Sequence, residues 1–256
     1  TGPRRGRGQI KFSLRLGREN LVVEHDGDFF TNQDLAALLS GGSNKEYDGE
    51  ETTGRFGTGF LMTHAISTAP TVKGILEREQ GDYERFKIKL ERSGDENAIR
   101  ENIKSSRDAI EKAEPIDWHD IDALETAEFI YPLNDESREV ARQGIKRFKD
   151  ALPYLFATCE YLGSVHLKVR GEEEVWMADG FQFYESAPGT EAQYRQIEVR
   201  GGSTEGRRLL QAVSVNEERK RDVSAVTVLE RTNEGSWMVE ELGSDLPRVF
   251  VQFPIA

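Results

Sequence analysis

Residues 24–30 read Glu-His-Asp-Gly-Asp-Phe-Phe, and residues 54–60 read Gly-Arg-Phe-Gly-Thr-Gly-Phe. Between these two glycine-centred turns lie a short amphipathic segment, residues 31–40, and a polar loop, residues 41–53, that contains Lys45. The apolar residues after the second turn predict a further helix. Two glycine turns, a lysine between them and a helix start after the second together indicate a nucleotide site.

The charge of the chain limits its partners. It has 256 residues and a formal net charge of −12, with 46 Asp and Glu against 34 Lys and Arg. This length suffices for one large domain or two modest ones. So acidic a chain argues against general binding of nucleic acids, because their phosphates would be repelled. A nucleotide neutralised by Mg²⁺ stays compatible, since only the local field matters there.

The single cysteine, Cys159, cannot form an internal disulfide, which favours a reducing, cytoplasmic location. Its apolar neighbours Leu155, Phe156 and Leu162 predict a small buried hydrophobe rather than a nucleophile. No apolar run reaches membrane-spanning length, and no signal peptide opens the chain. No membrane partner is therefore expected.

Five segments in the first half of the chain have the pattern of β-strands. They are residues 9–16, 21–24, 71–77, 84–91 and 126–133. The first two are predicted to form a hairpin, and the third and fourth to pair around Gly81.

Helical patterns separate these strands. Thr31 is expected to cap a short helix that packs on the sheet through Leu35, Leu38 and Leu39. A buried helix is predicted at 60–66, and the charged segment 94–120 is expected to be a surface insertion. Residues 135–151 predict a strong amphipathic helix, ended or kinked by Pro153, whose apolar positions are Val140, Ala141, Ile145, Phe148 and Leu152.

Strand and turn patterns dominate from Ser164 onward. Strands are predicted at 166–169, 175–184, 194–199, 209–215, 223–229, 237–242 and 249–253. This change predicts two domains, 1–162 and 163–256. The predicted fold class is α+β, an α/β sandwich with a mixed, mostly antiparallel sheet and helices on one face, followed by a strand-rich region.

Asp26 ends a predicted strand directly before Gly27. A carboxylate there can accept a hydrogen bond from an exocyclic amine such as adenine N6, and a glycine lets a base approach without a Cβ clash. An ordinary Asp-Gly turn explains the same dipeptide, and the dipeptide alone favours that simpler interpretation.

Gly54, Gly57 and Gly59 are a stronger indication, because they precede a predicted helix. Free backbone amides and the positive end of the helix dipole then form an anion nest for phosphates. The G-x-x-G-x-G spacing reverses the dinucleotide fingerprint and lacks the Lys-Ser/Thr of a Walker loop, so neither family applies. Lys45 is either a point charge over the phosphates or a solvated surface lysine.

Three boxes together resemble the ATP-binding motifs of the GHKL (Bergerat-fold) ATPases, the gyrase, heat-shock chaperone, histidine kinase and MutL group. The boxes are Asp-Gly-Asp-Phe-Phe-Thr at 26–31, Gly-Ser-Asn-Lys at 42–45 and Gly-Arg-Phe-Gly-Thr-Gly-Phe at 54–60. The Asp-Gly-x-x-Phe-Thr form is most similar to the sacsin-type, chaperone-like branch. The resemblance extends, with gaps, from Ile10 to about Phe156.

The resemblance implies ATP as the ligand and gives each box a role. Asp26 would bind the adenine amine, and Gly27 would lie under the base. Thr126 is similar to the family's late threonine that supports the adenine-side aspartate, although a threonine at a strand start is usually just a good strand former. Ser43 and Lys45 would belong to an ATP lid. The phosphate loop would contain Gly54, Gly57, Thr58, Gly59 and Phe60.

The family also uses a helix with a Glu that activates water and an Asn that holds Mg²⁺. That helix would precede the strand at 9–16, where residues 1–8 contain neither Glu nor Asn. ATP and Mg²⁺ are therefore expected in the intact protein, whereas this chain is expected to bind ATP weakly or not at all, without turnover. No catalytic or metal-binding residue is assigned in the chain itself. Its C-terminal end resembles a truncated transducer-like region.

Two functions remain open. In the first, ATP binding orders the lid and changes contacts with other domains or a second subunit of a chaperone-like or defence-related protein, and hydrolysis resets this switch. In the second, the Bergerat-like fold is nucleotide-free and serves as a structural, protein-interaction module. A histidine kinase is disfavoured, because no phospho-acceptor His lies in a suitable upstream helix.

Overall fold

The computed structural model describes residues 9–40, 63–78, 81–121, 126–159, 161–179, 185–186, 192–201, 204–215, 221–233 and 235–239. The strands in these ranges are β1 (Ile10–Leu16), β2 (Asn20–His25), β3 (Thr71–Glu77), β4 (Tyr83–Lys89), β5 (Glu114–Ile116), β6 (Ala127–Pro132), β7 (Leu162–Val169), β8 (Glu172–Asp179), β9 (Glu185–Ser186), β10 (Ala192–Gly201), β11 (Thr204–Val215), β12 (Arg221–Arg231) and β13 (Trp237–Val239). The helices are α1 (Asn32–Ser40), α2 (Glu96–Glu111) and α3 (Asp135–Thr158), and short 3-10 turns lie at Thr63–Ala65 and Trp118–Asp120.

All these strands belong to one sheet, in the order β13-β12-β11-β10-β8-β7-β1-β2-β6-β3-β4-β5, with β9 paired to β10. Strand β1 forms the predicted hairpin with β2 and pairs in parallel with β7 on its other side. The other pairs of named strands in the described ranges are antiparallel. The predicted α+β class, with a mixed, mostly antiparallel sheet and a strand-rich second half, is confirmed. Because β7 joins β1, the sheet continues across the proposed boundary at 162/163, and the division into two domains stays a prediction.

The helices cover one face of this sheet. A row of cross-strand partners runs from Val72 through Phe129, Val23 and Leu14 to Leu167, so these five side chains share a face. At one end of the row α1 and α2 pack over β3 and β4, and toward the other end α3 packs over β7, β8 and β10–β12. Helices on one face, as predicted, are therefore confirmed.

Local capping explains where the helices begin. Thr31 Oγ1 accepts from the amide of Asp34 over 3.2 Å, and Asp34 Oδ2 accepts from the amide of Thr31 over 2.8 Å, which satisfies two donors at the start of α1. Asn134 and Ser137 form a capping box at the start of α3. The predicted cap at Thr31 is confirmed.

Helix α3 buries a stripe that includes Ala141, Ile145, Leu152 and Phe156 under the sheet. Each large apolar side chain buried in this way contributes about 1.5–3 kcal/mol. Val140 is 47% exposed, so its predicted place in the core is wrong: one residue from Ala141 is about 100° around the helix, outside the buried stripe.

Three further expectations need correction. Helix α3 continues through the buried Pro153 to Thr158, because its packing outweighs one missing amide donor, so Pro153 does not end the helix and a kink there stays a prediction. Segment 94–120 is not only a surface insertion: Ser106 of α2 is buried, and its hydroxyl donates to the carbonyl of Lys89 over 2.8 Å. Of the helix predicted at 60–66, residues 63–65 form a 3-10 turn, while 60–62 lie outside the described residues. Cys159 is half-buried, at the carboxyl cap of α3.

Candidate functional site

Three of the predicted site residues lie in the described part of the chain, namely Asp26, Gly27 and Thr126. The lid and phosphate-loop predictions fall outside it; they concern Ser43, Lys45, Gly54, Gly57, Thr58, Gly59 and Phe60. The geometry of the adenine-side residues can therefore be described, and the roles of the other seven residues stay predictions.

Asp26 extends the β1–β2 hairpin by one residue. Its amide donates to the carbonyl of Lys11 over 3.2 Å, and its Oδ1 accepts from the amide of Lys11 over 2.7 Å. The carboxylate is half-buried and held by the neighbouring strand. A carboxylate offers about four acceptor positions, of which the bond from Lys11 takes one.

Thr126 and Asp26 lie directly beyond the same end of the β2–β6 pair. The last pair of that ladder joins His25 to Ala127. Asp26 directly follows His25, and Thr126 directly precedes Ala127. The two residues for which the resemblance implies a joint role therefore each lie one residue beyond this last pair, at the same end of the ladder, and their joint role stays a prediction.

Gly27 is buried, and its amide donates to Nδ1 of His25 over 3.3 Å. This bond assigns Nδ1 as the acceptor, so the proton of a neutral ring is on Nε2. The His25 ring is itself buried and lies 6.1 Å from the ring of Phe129. No role is predicted for His25 from the sequence, although its position directly before Asp26 is the available signal.

Phe30 anchors the far side of the Asp26–Gly27 turn. Its amide donates to the carbonyl of Ile75, and its carbonyl accepts from the amide of Glu77, over 2.9 and 2.8 Å. Its ring packs edge-on against Phe86, 5.1 Å between centroids. The turn therefore passes from the end of β2 to β3, with both ends held by a strand.

The ring of Phe29 packs against other side chains than the ring of Phe30 does. Its ring packs edge-on against Tyr83 and Trp118, at centroid distances of 5.7 and 6.3 Å. Tyr83 and Trp118 also contact each other, at 5.2 Å. This aromatic cluster holds the turn against the start of β4.

A depression of about 580 Å³ lies over β3, β4 and the end of α2. It is called the β3–β4 depression below. Its lining comprises Lys73, Gly74, Ile75, Arg85, Phe86, Lys87, Ala109, Lys112, Ala113, Glu114, Thr126 and Glu128. Thr126 is the one predicted site residue among them, and no sequence motif had indicated the other residues.

Compared with known proteins, the chain matches no family model, and no curated protein matches it significantly. Across the described ranges, no helix combines the length and apolar character that crossing a membrane requires.

Proposed function

We propose that the chain is an ATP-binding domain of the GHKL type that acts as a conformational switch in a larger chaperone-like or defence-related protein. One observation supports the proposal most: Asp26 and Thr126 each lie one residue beyond His25–Ala127, the last pair of the β2–β6 ladder, and Asp26 directly precedes the buried Gly27. These are the residues to which the resemblance gives the adenine side of the pocket. The proposal keeps the cytoplasmic location expected from the single cysteine.

The described residues suit recognition of an adenine amine. Asp26 is held by Lys11, so its carboxylate is oriented before a ligand arrives. Gly27 has no side chain that would keep a base from the backbone. In the proposal Asp26 accepts from the adenine amine, and the hydroxyl of Thr126 supports that carboxylate.

The phosphate side of the site remains a part of the proposal that rests on sequence. Lys45 and Ser43 act as a lid, and the glycine loop from Gly54 to Phe60 supplies backbone amides to the phosphates. Bound Mg²⁺ supplies charge neutralisation at the phosphates when present. Ordering of the lid is then the signal that other domains or a second subunit read, and hydrolysis to ADP and phosphate resets it.

Asp26→Asn tests this function. The variant can keep the Oδ1 acceptor for the Lys11 amide but replaces the other carboxylate oxygen by a donor, which cannot accept from adenine. We expect ATP affinity to fall about 10- to 100-fold, as for the loss of a hydrogen bond to a charged group. Titration with fluorescently labelled ATP measures the change.

Glu24→Gln is the matched control, because it removes one carboxylate charge only two residues from Asp26. Glu24 pairs with Arg15 over 3.2 Å and is not a proposed ligand. It should leave ATP affinity within about twofold, as exposed ion pairs contribute little. Equal weakening by both variants would point to a long-range charge effect and refute the specific contact.

The alternative, a nucleotide-free structural module, is favoured by one observation. The Asp26 carboxylate already serves the fold by accepting from the Lys11 amide. Under this alternative, added ATP does not raise the melting temperature of the parent chain. Asp26→Asn then makes no difference to the effect of ATP on the melting temperature. A shift with ATP that Asp26→Asn removes decides for the nucleotide site.

A further inference from the structure

The β3–β4 depression includes side chains of β3 and β4 that alternate with those of the core. Lys73 and Lys87 are direct cross-strand partners there, as are Ile75 and Arg85. Their neighbours Val72 and Phe86 belong to the core on the opposite face. The end of α2 forms one wall, where Ala113 is half-buried. Phe86, Ala109 and Ala113 also line the depression and belong to or pack against that core, so the depression borders the core.

The floor of the depression is apolar. Ile75 is only 4% exposed although it belongs to the outward face. Ala109 and Ala113 add small side chains from α2. A volume of about 580 Å³ lies in the range of small-molecule pockets, roughly 300–1,000 Å³.

The charged side chains around this floor are unevenly balanced. Among the lining residues that the structure describes, four are cationic and two are carboxylates, and they come from β3, β4, β5, β6 and the end of α2: Lys73, Arg85, Lys87, Lys112, Glu114 and Glu128. This excess of two positive charges stands out in a chain whose formal net charge is −12. The local field therefore attracts anions despite the acidity of the whole protein.

Lys73 and Lys87 stand directly opposite each other on β3 and β4. Like charges at such positions destabilise a sheet unless an anion lies near them. Glu128 forms an ion pair with Lys73 over 2.5 Å and so balances the charge of that lysine. Among the described residues, neither Lys87 nor Lys112 has an ion-pair partner, and both are exposed.

We infer that the β3–β4 depression binds a small molecule that carries a phosphate group. Lys87 and Lys112 contact the phosphate, which suits lysine as a mobile point charge. The organic part of the ligand covers Ile75 and Ala113. The inference goes beyond the proposed ATP site, because the lysines it uses have no part in that site and the two share only Thr126.

Pyrophosphate is the probe, titrated into the full chain by isothermal calorimetry at low salt. We expect saturable binding that the double variant Lys87→Ala/Lys112→Ala weakens about tenfold, since two partly solvated charge contacts are lost. Both side chains are exposed, so the variant should keep its fold, which circular dichroism checks. Absence of saturable binding to the parent chain would overturn the inference.

Lys89→Ala is the matched control. Lys89 lies on the same strand and face as Lys87, is exposed, and pairs with Glu91 over 2.8 Å outside the lining of the depression. It should change pyrophosphate affinity by no more than about twofold. If it weakens binding as much as Lys87→Ala does, the anion senses only the general charge of the surface, which overturns the site.

Asp26→Asn separates this inference from the proposed ATP function. Pyrophosphate has no amine for Asp26 to accept from, so its affinity should not fall in that variant. Labelled adenosine, which carries no phosphate, probes the other site alone: Asp26→Asn weakens its binding, and the double lysine variant does not. Pyrophosphate binding that responds to Asp26→Asn but not to the lysines contradicts the assignment, whatever adenosine does.

Discussion

Arg195 on β10 donates a hydrogen bond of 3.0 Å from its guanidinium to the backbone carbonyl of Ala157, in the last turn of α3. Its Nε donates a second bond, of 2.6 Å, to Oε1 of Gln211 on β11. Arg195 and Gln211 are each 4% exposed. A cation is stabilised at the carboxyl end of a helix by the helix dipole. This side chain therefore ties α3 to the strand-rich half of the sheet.

Arg195→Met is predicted to lower the free energy of unfolding by about 1–3 kcal/mol, because two buried acceptors lose a donor while the side-chain volume is largely kept. Urea unfolding followed by circular dichroism measures the loss. A stability equal to that of the parent chain would show that the two bonds contribute nothing net.

Gln211→Met tests whether Arg195 and Gln211 act as a unit. In the double variant no glutamine oxygen is left without its donor, so the loss should be smaller than the sum of the two single losses. The same unfolding experiment on all four proteins gives the coupling energy. Additive losses contradict the prediction.

Gly74→Ala is predicted to destabilise the core under α1. A Cβ at this position would lie 2.9 Å from Cε2 of Phe30 and 3.6 Å from Cε1 of Phe86. Both rings are buried, so the strand or Phe30 must shift, which costs about 1–3 kcal/mol. A lower thermal midpoint is the expected result.

Gly144→Ala, the matched control, should raise the stability of the protein instead of lowering it. Gly144 lies in the middle of α3 and is exposed, and a Cβ at this position would meet no group beyond its own helix backbone within 4 Å. Alanine there favours the helix by about 0.5–1 kcal/mol. If both alanines destabilise to the same extent, contact with Phe30 is not the cause at Gly74.

Much of the fold could be predicted from local patterns. The β1–β2 hairpin, the β3–β4 pair and the cap at Thr31 each follow from residues close in sequence. The parallel pairing of β1 with β7 could not, because nothing in either strand specifies a partner far along the chain. Strand β5 has three residues, too few for a period to be visible.

The two candidate sites also differ in whether the sequence alone reveals them. Asp26 and Thr126 were predicted by motif, and each lies one residue beyond the same end of the β2–β6 ladder. The β3–β4 depression was not found, because its cations are scattered over separate elements and only the folded sheet gathers them. Val140 shows the limit of periodicity within a single helix, because an apolar residue one position off the buried stripe is easily mistaken for a core residue.

Glu174 on β8 gives a prediction for pH. Lys149 of α3 donates to its carboxylate, and this bond, with a weaker contribution from Trp176, holds the pKa of Glu174 below its usual 4.5 despite partial burial. A carboxylate with a lowered folded pKa stabilises the fold fully above 4.5 and loses that contribution as pH falls through the folded pKa.

Glu174→Gln should therefore lower the free energy of unfolding by about 0.5–1 kcal/mol at neutral pH, and the difference from the parent chain should shrink in acid. Urea unfolding at a series of pH values measures this. Glu139→Gln, which breaks the exposed pair with Arg142, is the control and should have a smaller effect at neutral pH. If Glu174→Gln lowers the free energy of unfolding by the same amount in acid as at neutral pH, the stability does not depend on the ionisation of Glu174 and the prediction is wrong.

Thr126→Val gives the sharpest test of the adenine side of the proposed ATP site. Valine keeps the branched shape that suits a strand start but removes the hydroxyl. In the proposal that hydroxyl supports Asp26, so ATP affinity should fall about three- to tenfold, the equivalent of one modest hydrogen bond. Thr126→Ser keeps the hydroxyl and should bind ATP like the parent chain.

Combining Thr126→Val with Asp26→Asn shows whether the two residues act through each other. Once the carboxylate is gone, the hydroxyl has nothing left to support, so Thr126→Val should bring little further loss of ATP affinity. Four dissociation constants, measured with labelled ATP, complete the cycle. If Thr126→Val lowers ATP affinity equally with and without Asp26, the two residues do not act through each other in binding. The adenine-side assignment would then rest on Asp26 alone.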